Sequence, residues 1–290
     1  MTNLTWLMYY YYQHYRHSMD DSMKNGLYDL LKRSVNYSVH LLRKNSAGHY
    51  EFVVKAHSPE YPKSYDYNTN YDLSNLRWGL KTLQELGHND KKERKYLKHI
   101  KEIEANLIAY PVDKTGLKIS SNQSYDVSHR HYSHLMMIYP YYMMNAEQPE
   151  NIPLIKKSIE HWQSKKGALQ GYSLSGAASM YAMMGDGDKA LEYLHQLHNE
   201  FIQPNTLYKE SGPVIETPLS MAQSLHELSL QYWNDVLRIF PAIPSSWKDV
   251  SFDNFLTDGA FLVSAKYVNG QTKEVTLTAQ HDGEIKVKTG

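Results

Sequence analysis

The 290-residue sequence contains no cysteine, which excludes both a disulfide framework and a thiolate metal site. It also has no net charge, because Lys plus Arg and Asp plus Glu each total 31. A balanced surface favours neither nucleic acid nor an anionic membrane, and we expect neither as a partner. No apolar run is long enough to cross a bilayer. Residues 1–12 are apolar and aromatic, but they lack the basic start and the small-residue cleavage site of a signal peptide.

Tyrosine, by contrast, is abundant, with 25 residues against 5 Trp and 6 Phe. A tyrosine combines an apolar ring with a hydroxyl group, and this combination suits clefts that bind sugars. The same combination suits the packing of half-buried helices. Composition alone therefore leaves both interpretations open.

The first four fifths of the chain have the apolar periodicity of α-helices. The pattern predicts roughly nine helices, mostly joined in pairs by short connections, as in toroids and bundles. One predicted helical stretch covers residues 131–144, and the last runs over residues 218–233. The expected apolar faces of the first and last helices comprise Leu4, Leu7, Met8, Tyr11 and Tyr15, and Leu219, Ala222, Leu225 and Leu228.

The pattern changes after Trp233, where strand-like runs begin. These runs cover residues 236–240, 261–268, 275–279 and 285–288. Asn269-Gly270 and Asp282-Gly283 are dipeptides typical of type I′ turns, so each predicts a hairpin. We therefore expect a helical domain over residues 1–235 and a small antiparallel β module over residues 236–290.

The first polar segment that could carry chemistry surrounds Glu60. Pro59 and Pro62 fix the backbone on both sides of this carboxylate, and aromatic rings lie nearby in the sequence. A carboxylate in such surroundings suits a general acid, which requires a raised pKa. The alternative is a solvated Glu in a surface turn.

The second segment holds three histidines and an arginine within residues 128–134. His129, His131 and His134 could bind a metal, donate hydrogen bonds to sugar hydroxyls, or cap a helix. The spacing lacks a companion carboxylate at an offset familiar for zinc, so hydroxyl binding is favoured over a metal.

The third segment runs from Glu210 to Pro218 and places Glu216 directly before a helix. The helix dipole favours a carboxylate at this point, which is one explanation. The other is a second catalytic carboxylate. Inverting hydrolysis of a glycoside needs an acid and a base separated by roughly 6.5–9.5 Å, so that a water fits between them.

In this order, the segments resemble glycoside hydrolase family 95, best known for α-L-fucosidases. Ser58-Pro59-Glu60 is similar to the family's Ser-Pro-Glu loop, and the segment from His129 to Leu135 to its His-Arg-His-Leu-Ser-His-Leu run. Further similarities lie at Trp6-Leu7 with Gln13-His14-Tyr15, at Gly171-Tyr172-Ser173 (Gly-Trp-Ser in the family), at Gly185-Asp186-Gly187, at residues 239–244 with Trp247, and at Gly259-Ala260-Phe261.

The resemblance implies a mainly α fold, a partial (α/α)6 toroid followed by the β module. It implies inverting hydrolysis of an α-linked terminal sugar such as L-fucose, with an oligosaccharide or glycan as substrate and with no cofactor and no metal. Glu60 is then the general acid and Glu216 the residue that activates water. The expected substrate-binding residues are His129, His131, His134, Gln13 and Asp72.

The chain also departs from the family pattern. Glu216 stands where the family usually has Asp, and Gln13 stands where it often has Glu. The family's water-positioning Asn-x-Asn pair lies upstream of Met1 in the pattern, so we expect the chain to lack its natural beginning. For the full-length protein, the resemblance implies a periplasmic or secreted location.

The alternative function is a non-catalytic carbohydrate-binding fragment or an inactive remnant of such an enzyme. A metal-dependent hydrolase built on the histidines is a further alternative. A polysaccharide lyase is disfavoured, because it usually needs a cationic cleft to bind uronates and this chain has balanced charge.

Overall fold

The computed structural model of the chain describes residues 1–210 and 214–290. Within these ranges there are eight α-helices and ten β-strands. The residues form two compact units. Unit 1 comprises Met1–Asp126 and Ser133–Met137, and unit 2 comprises Val127–Tyr132 and Ile138–Gly290. No helix in the described ranges has the length and apolar character needed to cross a membrane.

Unit 1 is built on four helices and two short hairpins. The helices are α1 (Asn3–Ser18), α2 (Asp21–His40), α3 (Asn70–Gly87) and α4 (Arg94–Asn106), and the hairpin strands are β1 (Leu42–Lys44), β2 (Tyr50–Phe52), β3 (Val112–Asp113) and β4 (Gly116–Leu117). Helix α3 lies at the centre and buries most of its residues, including Leu73, Leu76, Leu80 and Leu83. Full burial of one such leucine stabilises the fold by about 1.5–3 kcal/mol. The spacing of these four leucines is the apolar periodicity from which the sequence predicts a helix here.

The buried face of α1 differs from the predicted one. Leu4 and Leu7 are 44% and 58% exposed, whereas Thr5 is fully buried. The Thr5 hydroxyl lies 2.7 Å from the hydroxyl of Ser34 on α2. Gly79 of α3 allows this close approach, because a Cβ at that position would lie 3.1 Å from the Thr5 methyl group. Small polar residues therefore take the place that the pattern assigned to leucines.

Unit 2 contains the helices α5 (Ile152–Ser164), α6 (Gly171–Met183), α7 (Gly187–Phe201) and α8 (Glu216–Ser229). Helix α6 is almost wholly buried and rich in Ser, Gly and Ala. Two serine pairs join it to α8, Ser175 with Ser220 at 2.7 Å and Ser179 with Ser224 at 2.9 Å between hydroxyl oxygens.

The predicted apolar face of α8 is wrong except at Leu228. Leu219 is 62% exposed and Leu225 is 38% exposed, whereas Leu228 is fully buried. The reason is the same as for α1: two helices packed through small side chains approach more closely than leucines allow, so the buried face carries serines. The predicted helix also ends early, because Leu230–Trp233 forms strand β5.

The turn between α6 and α7 explains the Gly-Asp-Gly sequence. Gly185 has a φ of 76°, which favours glycine. The Asp186 side chain caps α7 by accepting a hydrogen bond from the Lys189 amide at 3.1 Å. A Cβ on Gly187 would lie 2.1 Å from the Ala242 carbonyl oxygen. Gly187 therefore permits the backbone at Ala242 to pass directly against the start of α7.

The segment 131–144 is not an α-helix, contrary to the prediction. It contains one 3₁₀ turn, Ser133–Leu135, followed by further turns. Pro140 lies in the middle of the segment and cannot donate a backbone hydrogen bond, which opposes a continuous helix. The number of α-helices in the described ranges is therefore one lower than the sequence pattern predicts.

The β region of unit 2 forms two three-stranded sheets. Its strands are β5 (Leu230–Trp233), β6 (Val236–Ile239), β7 (Val250–Thr257), β8 (Phe261–Val268), β9 (Gln271–Ala279) and β10 (Lys286–Thr289), in the orders β10-β6-β5 and β7-β8-β9. Both sheets contribute to one apolar core, which includes Leu237, Phe252 and Val263. The predicted boundary at residue 235 falls in the turn that joins β5 to β6, and it remains a prediction.

One of the two predicted hairpins is confirmed. Asn269 and Gly270 both have positive φ, and they connect β8 to its antiparallel partner β9. The prediction of a hairpin at Asp282-Gly283 is wrong, because β10 pairs in parallel with β6 and not with β9. Neither Asp282 nor Gly283 has the positive φ that a type I′ turn requires.

Candidate functional site

Glu60 occupies a strained position in a tight turn of unit 1. The Tyr61 amide donates to the Ser58 carbonyl at 3.2 Å, which closes a four-residue turn with Pro59 at its second position. Glu60, at the third position, is exposed and has a φ of 56°. A non-glycine residue in this region costs roughly 1–2 kcal/mol. Backbone strain of this kind is often retained at functional sites, so it favours a functional role for the Glu60 carboxylate.

Hydrogen bonds fix the base of the Glu60 loop. The Ser58 hydroxyl lies 2.9 Å from the Ser133 hydroxyl, and the Ser64 hydroxyl donates to the Ser58 carbonyl at 3.0 Å. Ala56 and Asp66 exchange two backbone hydrogen bonds of 2.9 and 3.0 Å, which close the loop. The buried pair of serine hydroxyls therefore connects the Ser-Pro-Glu turn to Ser133 of the histidine-rich segment.

The carboxylate of Asp66 holds the far side of this loop. Burial alone raises the pKa of Asp66, but hydrogen bonds from Asn122 and Ser120 hold that pKa below its usual range. The Asn122 amide donates at 2.7 Å and the Ser120 hydroxyl at 2.8 Å. Asp66 is therefore a structural carboxylate that stays charged and keeps the loop closed.

A row of aromatic rings leads from the turn to His134. The Tyr61 ring lies 5.5 Å from the Tyr125 ring, which stacks on the His134 imidazole at 4.6 Å and 16°. The Tyr61 hydroxyl accepts a hydrogen bond from the Asp126 amide at 2.9 Å. His134 is 1% exposed, so its immediate contact is with the tyrosine behind the loop.

His129 and His131 belong to unit 2, whereas His134 belongs to unit 1. The rings of His129 and His131 lie 5.4 Å apart, and the His131 backbone amide donates to Nδ1 of His129 at 3.2 Å. Nε2 of His131 accepts from Nε of Arg130 at 3.0 Å. The backbone carbonyl of His129 accepts from the indole of Trp162 at 3.0 Å. Two of the three predicted histidines therefore form one pair that is fixed against α5.

Two tyrosines adjoin this histidine pair, and sequence reasoning assigned them no role. The Tyr132 and Tyr172 rings stack at 5.4 Å and 11°, and their hydroxyl oxygens lie 3.1 Å apart. The Tyr172 ring also meets the edge of His131 at 5.5 Å. Burial raises the pKa of Tyr172, and the negative charge of Glu216 raises it further. Tyr172 therefore contacts the histidine pair at His131, and its hydroxyl is within range of the Glu216 charge.

Glu216 is the first residue of α8 and is exposed. One of its carboxylate oxygens accepts a hydrogen bond from the Ile215 amide at 3.0 Å. Three residues of the same predicted segment, Ser211, Gly212 and Pro213, lie outside the described residues. The carboxylate of Glu216 thus lies at the start of a helix, where the dipole favours negative charge.

Glu210 is a second carboxylate near the starts of α6 and α8. Oε1 of Glu210 accepts from the Thr217 hydroxyl at 2.7 Å. A Cβ on Gly171, the first residue of α6, would lie 3.0 Å from the same oxygen. Glu210 is half-buried, so it is more enclosed than Glu216. The sequence, in which Glu210 precedes Ser211, Gly212 and Pro213, does not reveal this placement.

The remaining two predicted binding residues lie in unit 1. Gln13 is half-buried on α1, and its carbonyl accepts from Nδ1 of His17 at 2.8 Å. Asp72 is fully buried at the start of α3, where its amide donates to the hydroxyl of the capping residue Thr69 at 3.0 Å and its carboxylate accepts from that hydroxyl at 2.7 Å. It also accepts from the amide and hydroxyl of Thr2. These hydrogen bonds engage both carboxylate oxygens of Asp72, and its predicted sugar-binding role stays a prediction.

In the part of the chain that the structure describes, no group of three or more His, Asp or Glu side chains is arranged to hold a metal ion. The roles of Glu60, Glu216, the histidines and Gln13 stay predictions.

Two family models match the chain. The model described as the glycosyl hydrolase family 95 catalytic domain matches residues 1–218, and the model of the family's C-terminal domain matches residues 231–290. The match covers the Ser58–Tyr61 turn, the histidine-rich segment and Glu216 in the first domain.

A curated relative and a solved structure agree with this match. The chain is 21% identical over 301 residues to "Alpha-L-fucosidase 2" of Arabidopsis thaliana, across 95% of this chain and 35% of that protein. It is similar in fold to a protein assigned as a kojibiose phosphorylase from the human microbiome, with a TM-score of 0.62 and 14% identity, across 98% of this chain and 44% of the other.

The chain thus spans about a third of the length of the curated relative. The fold likeness and the catalytic-domain match confirm the predicted fold class, a mainly helical chain of the (α/α)6 glycosidase type followed by a small β region. Because the family models together match most of the sequence, this chain belongs to glycoside hydrolase family 95.

Proposed function

We propose that this chain supplies the acid and the base for inverting hydrolysis of an α-linked terminal sugar such as L-fucose. A water adds to the anomeric carbon while the bond from that carbon to the leaving oxygen breaks. Glu60 gives its proton to the leaving oxygen, and Glu216 takes a proton from the water. His129 and His131 orient sugar hydroxyls, and His134 supports the Glu60 loop through Tyr125.

The observation that carries this proposal is the backbone of Glu60. The residue keeps a positive φ in a turn whose base is fixed by the buried Ser58–Ser133 pair. A surface glutamate with no function would gain by adopting an ordinary conformation or by replacement with glycine. Membership of a family of glycoside hydrolases and the likeness to a protein named as an α-L-fucosidase support the reaction class and the sugar.

The first experiment measures hydrolysis of a 2-linked fucosyl oligosaccharide and of α-L-fucosyl fluoride by the 290-residue chain. Glu60→Gln is expected to lower kcat/KM for the oligosaccharide about 10²–10⁴-fold, because the leaving alkoxide then lacks a proton. The fluoride leaves without full protonation, so its hydrolysis is expected to change much less. Glu51→Gln, a carboxylate of β2 that accepts from Asn45, is the matched control and is expected to leave both rates unchanged.

Equal losses for both substrates, or no loss for either, would remove Glu60 from the acid role. The stereochemistry is tested separately by proton NMR of the first product formed. Inversion of an α-L-fucoside predicts β-L-fucose, and initial appearance of the α-anomer would contradict the assigned mechanism.

A second candidate function is binding of a carbohydrate without turnover. It is favoured by Glu216, which is exposed and has one carboxylate oxygen engaged by the backbone amide of Ile215. Calorimetric binding of L-fucose together with no detectable turnover of either substrate would support this candidate over hydrolysis.

A further inference from the structure

The stacked tyrosines of unit 2 differ from the family pattern at two positions that contact each other. Tyr132 stands where the family's histidine run has Leu, and Tyr172 stands where its Gly-Trp-Ser sequence has Trp. The two rings are nearly parallel at 5.4 Å, and the hydroxyl oxygens are 3.1 Å apart. The two departures thus form one structural element with two adjacent hydroxyl groups.

Tyr132 is the fixed member of this pair. It is 7% exposed, and its ring also packs against Trp162 at 5.4 Å. On α6, Gly176 leaves room for the ring, because a Cβ there would lie 2.4 Å from Cε1 of Tyr132. Any larger residue at position 176 would displace the ring. The position of the Tyr132 hydroxyl is therefore set by the cores of α5 and α6.

Tyr172 is the accessible member. It is half-buried in the first turn of α6, with the His131 edge at 5.5 Å and with the charge of Glu216 acting on its hydroxyl. Each tyrosine carries one O–H donor. When Tyr132 donates to Tyr172, the donor of Tyr172 remains available to point away from the pair.

We propose that Tyr172 is a sugar-binding residue that donates its hydroxyl to one hydroxyl of a neutral monosaccharide unit, and that Tyr132 is the residue that positions it. This inference rests on the proposed function, since it places the sugar beside Glu216. A site that is built to hydrogen-bond one substrate hydroxyl discriminates against the analogue that lacks it. The tyrosine pair is thus assigned as a determinant of sugar specificity.

The test measures binding of L-fucose and of its 2-, 3- and 4-deoxy derivatives by calorimetry. Tyr172→Phe keeps the ring and removes the donor, so binding of L-fucose is expected to weaken about three- to tenfold. Binding of the one deoxy derivative that lacks the recognised hydroxyl is expected to remain as in the wild type. Tyr132→Phe is expected to give the same selective pattern with a smaller change.

The matched control is Tyr193→Phe. Tyr193 also stacks on a tyrosine of α6, with the Tyr181 ring at 5.7 Å and 25°. The Tyr193→Phe variant is expected to leave the binding of all four sugars unchanged. Equal weakening of all four sugars by Tyr172→Phe would indicate a structural role only, and no weakening would exclude contact. Either result overturns the inference, as does a wild-type chain that binds none of the four sugars.

The outcomes separate this inference from the proposed function. A selective effect of Tyr172→Phe on binding, combined with no effect of Glu60→Gln on turnover, keeps the sugar contact and removes the hydrolytic role. Loss of turnover in Glu60→Gln without a selective effect at Tyr172 keeps hydrolysis and removes the tyrosine contact.

Discussion

The two proposed catalytic carboxylates are held in different ways. In unit 1, Glu60 lies in a turn with strained backbone, and buried serines fix the base of its loop. In unit 2, Glu216 lies at the start of a helix, is exposed, and accepts a hydrogen bond from the backbone amide of Ile215. The more enclosed carboxylate at that end of unit 2 is Glu210. The contrast indicates that the backbone of Glu60 is set by its own turn, whereas the surroundings of Glu210 depend on how α6 and α8 meet.

The largest effect on kcat/KM is expected when Glu216 and Glu210, the two acidic residues of unit 2, are changed separately. Glu216→Gln is expected to lower kcat/KM about 10²–10⁴-fold for both the oligosaccharide and the fluoride, because each reaction needs an activated water. Glu210→Gln is expected to have a much smaller effect, since that carboxylate holds Thr217. Steady-state kinetics of both variants are the measurement. The reverse order of the two losses would transfer the base role to Glu210.

A second prediction concerns the serine pair that fixes the Glu60 loop. Ser58→Ala and Ser133→Ala each leave a buried hydroxyl without its partner, so each is expected to lower the free energy of unfolding by about 1–3 kcal/mol. The double variant is expected to lose less than the sum of the two. Urea unfolding of the four proteins measures this coupling. Strictly additive losses would show that the pair does not stabilise the loop.

A third prediction concerns pH and a buried carboxylate of α8. Burial raises the pKa of Glu227, and the hydrogen bonds that it accepts from Gln223 and Tyr142 offset only part of that effect. Between the unfolded and the folded pKa, the folded chain binds more protons than the unfolded chain. Stability is therefore expected to fall as the pH rises through that window, by at most about 1.4 kcal/mol per pH unit.

Glu227→Gln is expected to remove that part of the slope, because the amide does not titrate in the window. Thermal unfolding between pH 4 and pH 8 compares the variant with the wild type. An unchanged slope in the variant would assign the pH dependence to other groups.

The smallest expected effects are on the free energy of unfolding, and they differ in sign between replacement of Glu60 and replacement of Glu216 by glycine. Glu60→Gly relieves the positive φ and is expected to raise the free energy of unfolding by about 0.5–1 kcal/mol. Glu216→Gly removes a favourable charge at a helix start and is expected to lower it by about 0.3–1 kcal/mol. Both variants are expected to lose turnover. Destabilisation by Glu60→Gly, measured by thermal unfolding, would show that the Glu60 side chain contributes to the fold.

Much of the fold could be predicted from local patterns. The apolar spacing of Leu73, Leu76, Leu80 and Leu83 predicts α3, and Asn269-Gly270 predicts the hairpin of β8 and β9. These predictions succeed because helix periodicity and turn dihedrals depend on residues that are close in the sequence. The Asp282-Gly283 prediction fails because β10 finds a distant partner in β6, which local preference does not specify.

The candidate site could be predicted in part. The sequence indicates Glu60, Glu216 and the histidines by residue type and order. It does not indicate that Tyr172 meets His131, that Glu210 lies against Gly171, or that Asp72 is occupied in capping α3. These placements depend on contacts between residues that are far apart in the chain, and a single sequence contains no direct signal for such contacts.

The sequence by itself determined most of the helices and the family to which the chain belongs, because these follow from short-range apolar spacing and from ordered motifs. Only the tertiary structure decided which faces are buried. On α1 and α8, Thr5 and Ser224 are buried, whereas Leu7 and Leu219 are exposed. The physical reason is that small hydroxyl side chains let helices approach closely and form hydrogen bonds, and this gain outweighs the burial of leucines that are too large for the interface.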